Sequence, residues 1–222
     1  MSSASSELPS VELPRDELIA KLARRLSQPL PGRKAQALLE PDAAYGRHFG
    51  PPSFDVRPAA VLVLLYQRAG AWHVALTVRH ADLATHAGQI SLPGGLIEPG
   101  ETVQTAAERE LWEEVGVAGD QLTGLGPLSP VNLFSTHFFV QPWVACAAAA
   151  PRFRLNESEV AELLEVPVAA LLDARNIGRH QRAVRGLVNE VPHYTIGPRQ
   201  LWGATAMILS EFLVVYREAL CD

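Results

Sequence analysis

The segment of residues 95–117 carries the pattern that most constrains how this chain folds. Residues 102–115 repeat apolar side chains at helical spacing and Gly116 follows at once, which predicts a helix that ends in a glycine cap. Ala107, Leu111 and Val115 form an apolar stripe along this helix, so one of its faces packs against a core. The fold must therefore hold a charged helix against a hydrophobic surface.

Three glutamates share a second face of the predicted helix. Glu110, Glu113 and Glu114 stand at positions i, i+3 and i+4, which meet within one helical turn. Clustered carboxylates raise one another's pKa unless a cation neutralises them. Because oxygen ligands favour hard divalent cations, the pattern predicts a Mg²⁺ or Mn²⁺ site for a substrate with a phosphate ester or anhydride. A solvated helix face is the alternative for a charge run considered alone.

The rest of the sequence mixes strands and helices without regular alternation. Residues 60–66 form an apolar run and residues 73–79 alternate apolar and polar side chains, which predicts an antiparallel pair joined at residues 69–71. Further strands are predicted at residues 89–92, 138–146 and 160–166, and a closing helix at residues 204–220. This order favours an α+β domain with a mixed sheet over a doubly wound domain.

The first 56 residues differ in character from the rest. Apolar residues recur at helical spacing over residues 16–27, which predicts an amphipathic helix, and an irregular stretch punctuated by prolines follows. We therefore divide the chain into an N-terminal extension, residues 1–56, and a globular domain, residues 57–222. The extension's helix either caps the core or joins a partner subunit, and both roles are open at this stage.

Charge and composition exclude several classes of partner. With 19 basic and 24 acidic side chains the formal charge is −5, so we expect no broad basic surface and no nucleic-acid partner. No segment has the roughly 20 uninterrupted apolar residues of a membrane span. The sequence does not begin with a basic and apolar leader, so we expect no membrane association and a cytoplasmic location. Cys146 and Cys221 form no paired motif, which fits a reducing compartment.

Nine positions between residues 95 and 117 match the pattern of a known family. They are Gly95, Glu101, Arg109, Glu110, Leu111, Glu113, Glu114, Gly116 and Val117, spaced as Gly-x5-Glu-x7-Arg-Glu-U-x-Glu-Glu-x-Gly-U, where U is apolar. The segment therefore resembles the Nudix box. The resemblance implies a Nudix-like α/β/α sandwich with a mixed β-sheet and hydrolysis of a small-molecule nucleoside diphosphate derivative. It also makes a homodimer a candidate assembly.

The resemblance implies a role for each charged position of the box. Glu110, Glu113 and Glu114 become catalytic residues and the principal ligands of Mg²⁺ or Mn²⁺, and Glu101 becomes an auxiliary acidic ligand. Arg109 becomes a catalytic-site residue that orients these carboxylates. A purely structural ion pair near the start of the helix is the alternative for Glu101 and Arg109.

Residues outside the helix complete the predicted site. Gly94 and Gly95 are expected to let the backbone approach the substrate diphosphate, and Arg79 is expected to contact a substrate phosphate. The general base is either a glutamate of the box or an acidic residue of a later loop, for which Glu159 is the candidate. Polarity at the entry to a strand is the alternative explanation for Glu159.

A second resemblance lies upstream of the box and near the C-terminus. The runs Leu76-Thr77-Val78-Arg79, Pro93-Gly94-Gly95 and Leu201-Trp202-Gly203-Ala204-Thr205-Ala206 are similar to segments of the coenzyme A diphosphatases. This resemblance implies hydrolysis of coenzyme A or its derivatives to 3′,5′-ADP and 4′-phosphopantetheine. Ala84 and Leu92 differ from the pattern of that group, so an ADP-ribose, nucleotide-sugar or dinucleotide diphosphatase is the alternative. A catalytically silent nucleotide sensor is the third hypothesis.

A cluster of basic-capable side chains occurs later in the sequence. Its members are Arg175, Arg179, His180, Arg182 and Arg185. The cluster either contacts the 3′-phosphate of coenzyme A or lies in a solvated polar loop.

Overall fold

A computed structural model describes residues 13–42, 47–52, 54–80, 88–134, 136–184 and 186–221. The helices are α1 (Arg15–Leu26), α2 (Arg33–Gln36), α3 (Val103–Val115), α4 (Val168–Leu172) and α5 (Ala204–Cys221). The strands are β1 (Arg57–Arg68), β2 (Ala71–Arg79), β3 (Ile90–Ser91), β4 (Gly94–Leu96), β5 (Leu122–Pro127), β6 (Val131–Leu133), β7 (Phe138–Ala147), β8 (Val160–Pro167), β9 (Ile177–Val184), β10 (Leu187–Ile196) and β11 (Arg199–Trp202). Short 3-10 turns lie at Ala37–Leu39, Arg47–Phe49, Gly119–Gln121 and Ala174–Asn176.

The larger sheet combines parallel and antiparallel pairs around β1. This strand is antiparallel to β2 and β4 and parallel to β7. β7 also pairs with β5 and β6, and β2 also pairs with β3 and β8. Residues 62–66 of β1 are completely buried, as expected for a strand that is covered on both faces. The predicted α+β class with a mixed sheet is confirmed.

Helices cover both faces of this sheet. On one face Leu111 of α3 packs in a core with Leu62 of β1. On the other face Phe212 of α5 and Leu22 of α1 pack in a core with Val63 of β1. Because successive side chains of a strand point to opposite faces, the alternation within β1 separates the two cores. The result is a helix–sheet–helix arrangement in which α3 lies on the face opposite to α1 and α5.

The helix predicted at residues 16–27 is α1. Its residues Leu18, Leu22 and Leu26 are buried in the core beside α5. Of the two roles left open by the sequence, the structure shows that α1 caps the core of its own chain. None of the described helices is both long enough and apolar enough to cross a membrane.

A buried carboxylate ties the segment after α1 to α5. Glu211 of α5 has no exposed surface and accepts hydrogen bonds from the backbone N–H of Gly32 at 3.0 Å and from Nε2 of Gln36 at 2.8 Å. It also accepts bonds from the N–H and hydroxyl of Ser129, at 3.1 and 2.6 Å. A buried carboxylate is tolerated when such donors replace water. The irregular segment is therefore anchored to the core through a polar contact.

A smaller antiparallel sheet of β9, β10 and β11 follows the larger one in sequence. It was not predicted, because β9 lacks the apolar alternation that identifies a strand. Both guanidinium nitrogens Nη1 and Nη2 of Arg199 in β11 donate to the carboxylate of Glu162 in β8, at 2.9 and 2.6 Å. This ion pair joins the two sheets.

The basic cluster predicted around residues 175–185 does not form one cationic surface. The observed contacts are Arg175 with Asp173, Arg179 with Asp42, Arg182 over the ring of Trp202, and His180 with His193. Arg185 lies outside the described residues. The alternative of a loop was wrong for residues 177–184, which form β9, although the side chains of Arg175 and Arg179 are exposed to solvent. Two of the cations are neutralised by aspartates, which weakens the case for a phosphate site here.

Candidate active site

α3 begins and ends where the sequence predicts. The hydroxyl of Thr102 accepts a hydrogen bond from the N–H of Thr105 at 3.1 Å, and Thr105 returns a side-chain contact to the N–H of Thr102 at 2.9 Å. Gly116 ends the helix with φ of 73°, in the left-handed region that favours glycine. These two caps set where α3 begins and ends, and the burial of Ala107, Leu111 and Val115 against the sheet determines which of its glutamates face the sheet.

Arg109 connects the loop before α3 to the carboxylates of the helix. Its Nε and Nη2 donate to the two oxygens of Glu101, at 2.8 and 3.1 Å. Its Nη1 donates to Glu110 at 2.9 Å and to Glu113 at 3.0 Å, and Nη2 also reaches the carbonyl of Leu96 at 2.9 Å. The hydrogen bond from Arg109, followed by one from the N–H of Glu98, lowers the pKa of Glu101. Glu101 is therefore held as a carboxylate.

The three glutamates of the box that lie on α3 differ in burial. Glu113 is half-exposed, whereas Glu114 is as buried as the core residues around it. Burial raises the pKa of Glu114 to about 8, with a contribution from the charge of Glu110, while Arg79 acts in the opposite direction. Burial likewise raises the pKa of Glu110, although Arg109 opposes the shift. Two adjacent carboxylates are thus costly to ionise in the absence of another cation.

These carboxylates fit a divalent cation. Within the described part of the chain, Oε2 of Glu114 is buried and has no hydrogen-bond partner, so a polar oxygen is left unsatisfied. An all-oxygen donor set suits Mg²⁺ or Mn²⁺. Among the described residues no three acidic, histidine or cysteine side chains converge as a formed metal centre. In this conformation Arg109 holds Glu110 and Glu113 instead.

The structure places Arg79 beside the buried glutamate. Arg79 is the last residue of β2, and its positive charge lowers the pKa of Glu114 against the larger effect of burial. Its Nε is buried and has no hydrogen-bond partner among the residues that the structure describes. A guanidinium in this state has donor capacity for an incoming phosphate oxygen.

Glu159 lies within electrostatic reach of the same site. It precedes β8, and the pairing of β8 with β2 brings it close enough for its charge to raise the pKa of both Glu110 and Glu114. The backbone N–H of His80 donates to the Glu159 carbonyl at 2.8 Å, and Nδ2 of Asn156 donates to its Oε1 at 3.2 Å. Sequence reasoning missed Asn156, although its position three residues before Glu159 was a usable signal.

The glycines before α3 meet two different requirements. A Cβ on Gly94 would lie 2.7 Å from Cα of Val61, so glycine permits the close pairing of β4 with β1. The backbone of Gly94 also donates a hydrogen bond to Glu114, a contact that the sequence did not indicate. A Cβ on Gly95 would lie 2.5 Å from the carboxylate carbon of Glu110. Gly95 therefore leaves room for that carboxylate.

We expect Gly95→Ala to displace the Glu110 carboxylate and lower kcat on the preferred substrate by up to about 100-fold, the cost of a misplacement of about 1 Å. Steady-state hydrolysis with Mg²⁺ measures the effect. Gly70→Ala is the matched control, because its Cβ would meet no atom of the described residues within 4 Å and would only strain a turn whose φ is 82°. The control should lose about 1 kcal/mol of stability with unchanged kcat. Equal kcat values for the two variants would show that the Glu110 carboxylate does not need the space that Gly95 leaves.

Two positions differ from the coenzyme A diphosphatase pattern, and the structure describes only one of them. Ala84 lies outside the described residues. Leu92 is buried in the core that α5 covers, so its departure concerns apolar packing rather than contact with a substrate.

Comparison with known proteins agrees with the resemblance found in the sequence. The NUDIX domain model matches residues 56–187, more than half of the chain. An uncharacterised Nudix hydrolase, NudL, of Cronobacter sakazakii is 33% identical over 168 residues, covering 72% of this chain and 82% of the relative. NudL of Photorhabdus laumondii is 33% identical over 137 residues, covering 61% and 73%. The crystal structure of a Nudix hydrolase from M. smegmatis, RenU, is 30% identical with a TM-score of 0.46, covering 53% and 74%. The chain therefore belongs to the Nudix domain family.

Proposed function

We propose that the protein hydrolyses the diphosphate linkage of coenzyme A or its derivatives, giving 3′,5′-ADP and 4′-phosphopantetheine. The family match supports the coarser statement, a Nudix hydrolase of a nucleoside diphosphate derivative. The observation that carries the hydrolytic site is the buried, unsatisfied oxygen of Glu114 beside the guanidinium of Arg79. The choice of coenzyme A rests on the sequence runs around Arg79 and Trp202 that resemble the coenzyme A diphosphatases.

In this proposal Glu110, Glu113 and Glu114 would hold Mg²⁺ or Mn²⁺, with Glu101 as the auxiliary acid beside them. When bound, the ion supplies positive charge to the diphosphate oxygens and makes the attacking water more acidic. Arg109 orients the carboxylates, because its planar fork links Glu101 to Glu110.

Arg79 and Glu159 act on the substrate and on water. The guanidinium of Arg79 binds a phosphate oxygen and stabilises the charge that develops there. Glu159 accepts the proton of the attacking water, while Asn156 fixes one of its carboxylate oxygens. The water oxygen then bonds to phosphorus, and the bridging oxygen leaves with the other phosphate. Gly94 and Gly95 let the backbone approach the diphosphate.

Product analysis tests this proposal. Purified protein is incubated with Mg²⁺ and either coenzyme A or ADP-ribose, in parallel with EDTA, and the products are separated and identified by mass. We expect 3′,5′-ADP and 4′-phosphopantetheine to form in preference to the ADP-ribose products, and EDTA to stop the reaction. Preference for ADP-ribose would show that the site hydrolyses that substrate rather than coenzyme A. The absence of metal-dependent turnover of either compound would favour a nucleotide sensor.

A further inference from the structure

An open cavity of about 670 Å³ lies beside the candidate site. Its lining residues are His80, Arg154, Leu155, Glu157, Val160 and Ala161. The N–H of Asn156, whose neighbours Leu155 and Glu157 line the cavity, donates to the Glu114 carbonyl at 2.9 Å, and the N–H of His80 donates to the Glu159 carbonyl at 2.8 Å. The cavity thus adjoins the catalytic carboxylates, and its volume falls in the range of about 300–1,000 Å³ usual for small-molecule sites.

Arg154 is the arginine that lines this cavity. Its side chain makes no ion pair or hydrogen bond with any residue that the structure describes. Arg109, by contrast, is occupied by the glutamates of the box, and Arg175 and Arg179 are paired with aspartates. A guanidinium with unused paired donors is the side chain best suited to a phosphate group.

The backbone holds Arg154 in position without using its side chain. The N–H of Arg154 donates to the carbonyl of Val115, at the end of α3, at 2.8 Å. A Cβ on Gly116 would lie 2.9 Å from Cβ of Arg154, so the two segments are in close contact. Arg154 is therefore carried on a segment fixed to α3, at a position that lines the cavity.

We propose that this cavity receives a second, non-reacting phosphate group of the substrate and that Arg154 contacts it. The inference rests on the proposed function, and names the group as the 3′-phosphate of the adenosine half of coenzyme A. The diphosphate lies at Arg79 and the box glutamates, and the 3′-phosphate extends toward Arg154. Glu157 lines the same cavity and repels an anion, so its removal has the opposite effect on binding.

Calorimetric titration with 3′,5′-ADP and 5′-AMP tests the site, because these nucleotides differ only in the 3′-phosphate. The wild-type protein should bind 3′,5′-ADP more tightly. Arg154→Ala should weaken 3′,5′-ADP binding by about tenfold, the effect of one charge-assisted contact, and leave 5′-AMP binding unchanged. Glu157→Gln should tighten 3′,5′-ADP binding. Arg152→Ala is the matched control, since this exposed residue lies two positions earlier and does not line the cavity.

Kinetics separate this inference from the proposed function. Arg154→Ala should raise KM for coenzyme A by about tenfold at unchanged kcat, and should leave KM for dephospho-coenzyme A unchanged. Equal effects on the two substrates, or on the two nucleotides, would overturn the role of Arg154 while leaving the hydrolase intact. If neither substrate is hydrolysed the proposed function fails, and the titrations still decide the inference. Arg154→Gln, which removes the charge and keeps most of the length, replaces Arg154→Ala if melting shows that the alanine variant is unfolded.

Discussion

Glu114→Gln should lower kcat by at least about 100-fold. Removing a residue that only orients metal ligands lowers activity by about 10–100-fold, so the loss of a ligand itself should reach at least the upper end of that range. The substitution keeps the size of the side chain and removes the charge that a divalent ion would neutralise. Glu108→Gln is the control, because Glu108 lies on the same helix and contacts Gln104 rather than the carboxylate cluster. Steady-state hydrolysis with Mg²⁺ measures both variants, and a folded Glu114→Gln protein with wild-type kcat would refute the metal role of this residue.

The same substitution should stabilise the metal-free protein at alkaline pH. Burial raises the pKa of Glu114 to about 8 from its ordinary value of 4.5, so the folded state binds more protons than the unfolded state between these values. The free energy of unfolding of the wild-type protein therefore falls as pH rises from about 5 to 8, by about 1.4 kcal/mol for each unit by which folding raises the pKa of Glu114. We expect Tm of Glu114→Gln in EDTA to exceed the wild-type Tm above pH 8, with the difference vanishing near pH 4.5. A constant difference across this range would show that Glu114 is not the group responsible.

Arg109→Lys should lower both kcat and stability. Lysine keeps the positive charge but cannot bond Glu101, Glu110 and the Leu96 carbonyl together, because it lacks the planar fork. We expect a loss of about 10–100-fold in kcat and of about 1–3 kcal/mol in the free energy of unfolding. Hydrolysis and urea denaturation measure the two effects.

Arg68→Lys distinguishes a catalytic-site role of Arg109 from a structural one. Arg68 bonds the Glu165 carboxylate and the Pro151 carbonyl without contacting the box glutamates, so its replacement should cost stability alone. If Arg109→Lys also lost only stability, the ion pair with Glu101 would be a structural contact and the orienting role would be wrong.

Local patterns predicted the elements that depend on neighbours in sequence. α3 was predictable because Gly116, a repeated apolar stripe and a fixed glutamate spacing all lie within one helix. The hairpin of β1 and β2 was predictable because its two runs are joined by a short turn. β9 was not, because the polar run from Arg179 to Arg182 becomes a strand only by pairing with β10. The short strand β4 was missed because three residues carry too little periodicity.

In the candidate site too, features that depend on neighbours in sequence were predictable, and features that depend on contacts between distant segments were not. Helical spacing predicts that Glu113 and Glu114 share a face, but it does not predict that one is half-exposed and the other buried, since burial depends on the sheet beneath. The proximity of Arg79 to Glu159 depends on the register of β2 against β8, which sequence alone does not give. Neutralisation of Arg179 depends on Asp42, which lies 137 positions away.

The buried carboxylate of Glu211 has a consequence for local unfolding of the chain. The amide hydrogens of Gly32 and Ser129 are bonded to a group that water reaches only when α5 leaves the core. In deuterium exchange these two amides should therefore be protected as strongly as amides of the central strands, although neither belongs to a helix or a strand. The segment after α1 and the last helix would then open as one cooperative unit, joining the two ends of the sequence in a single unfolding event.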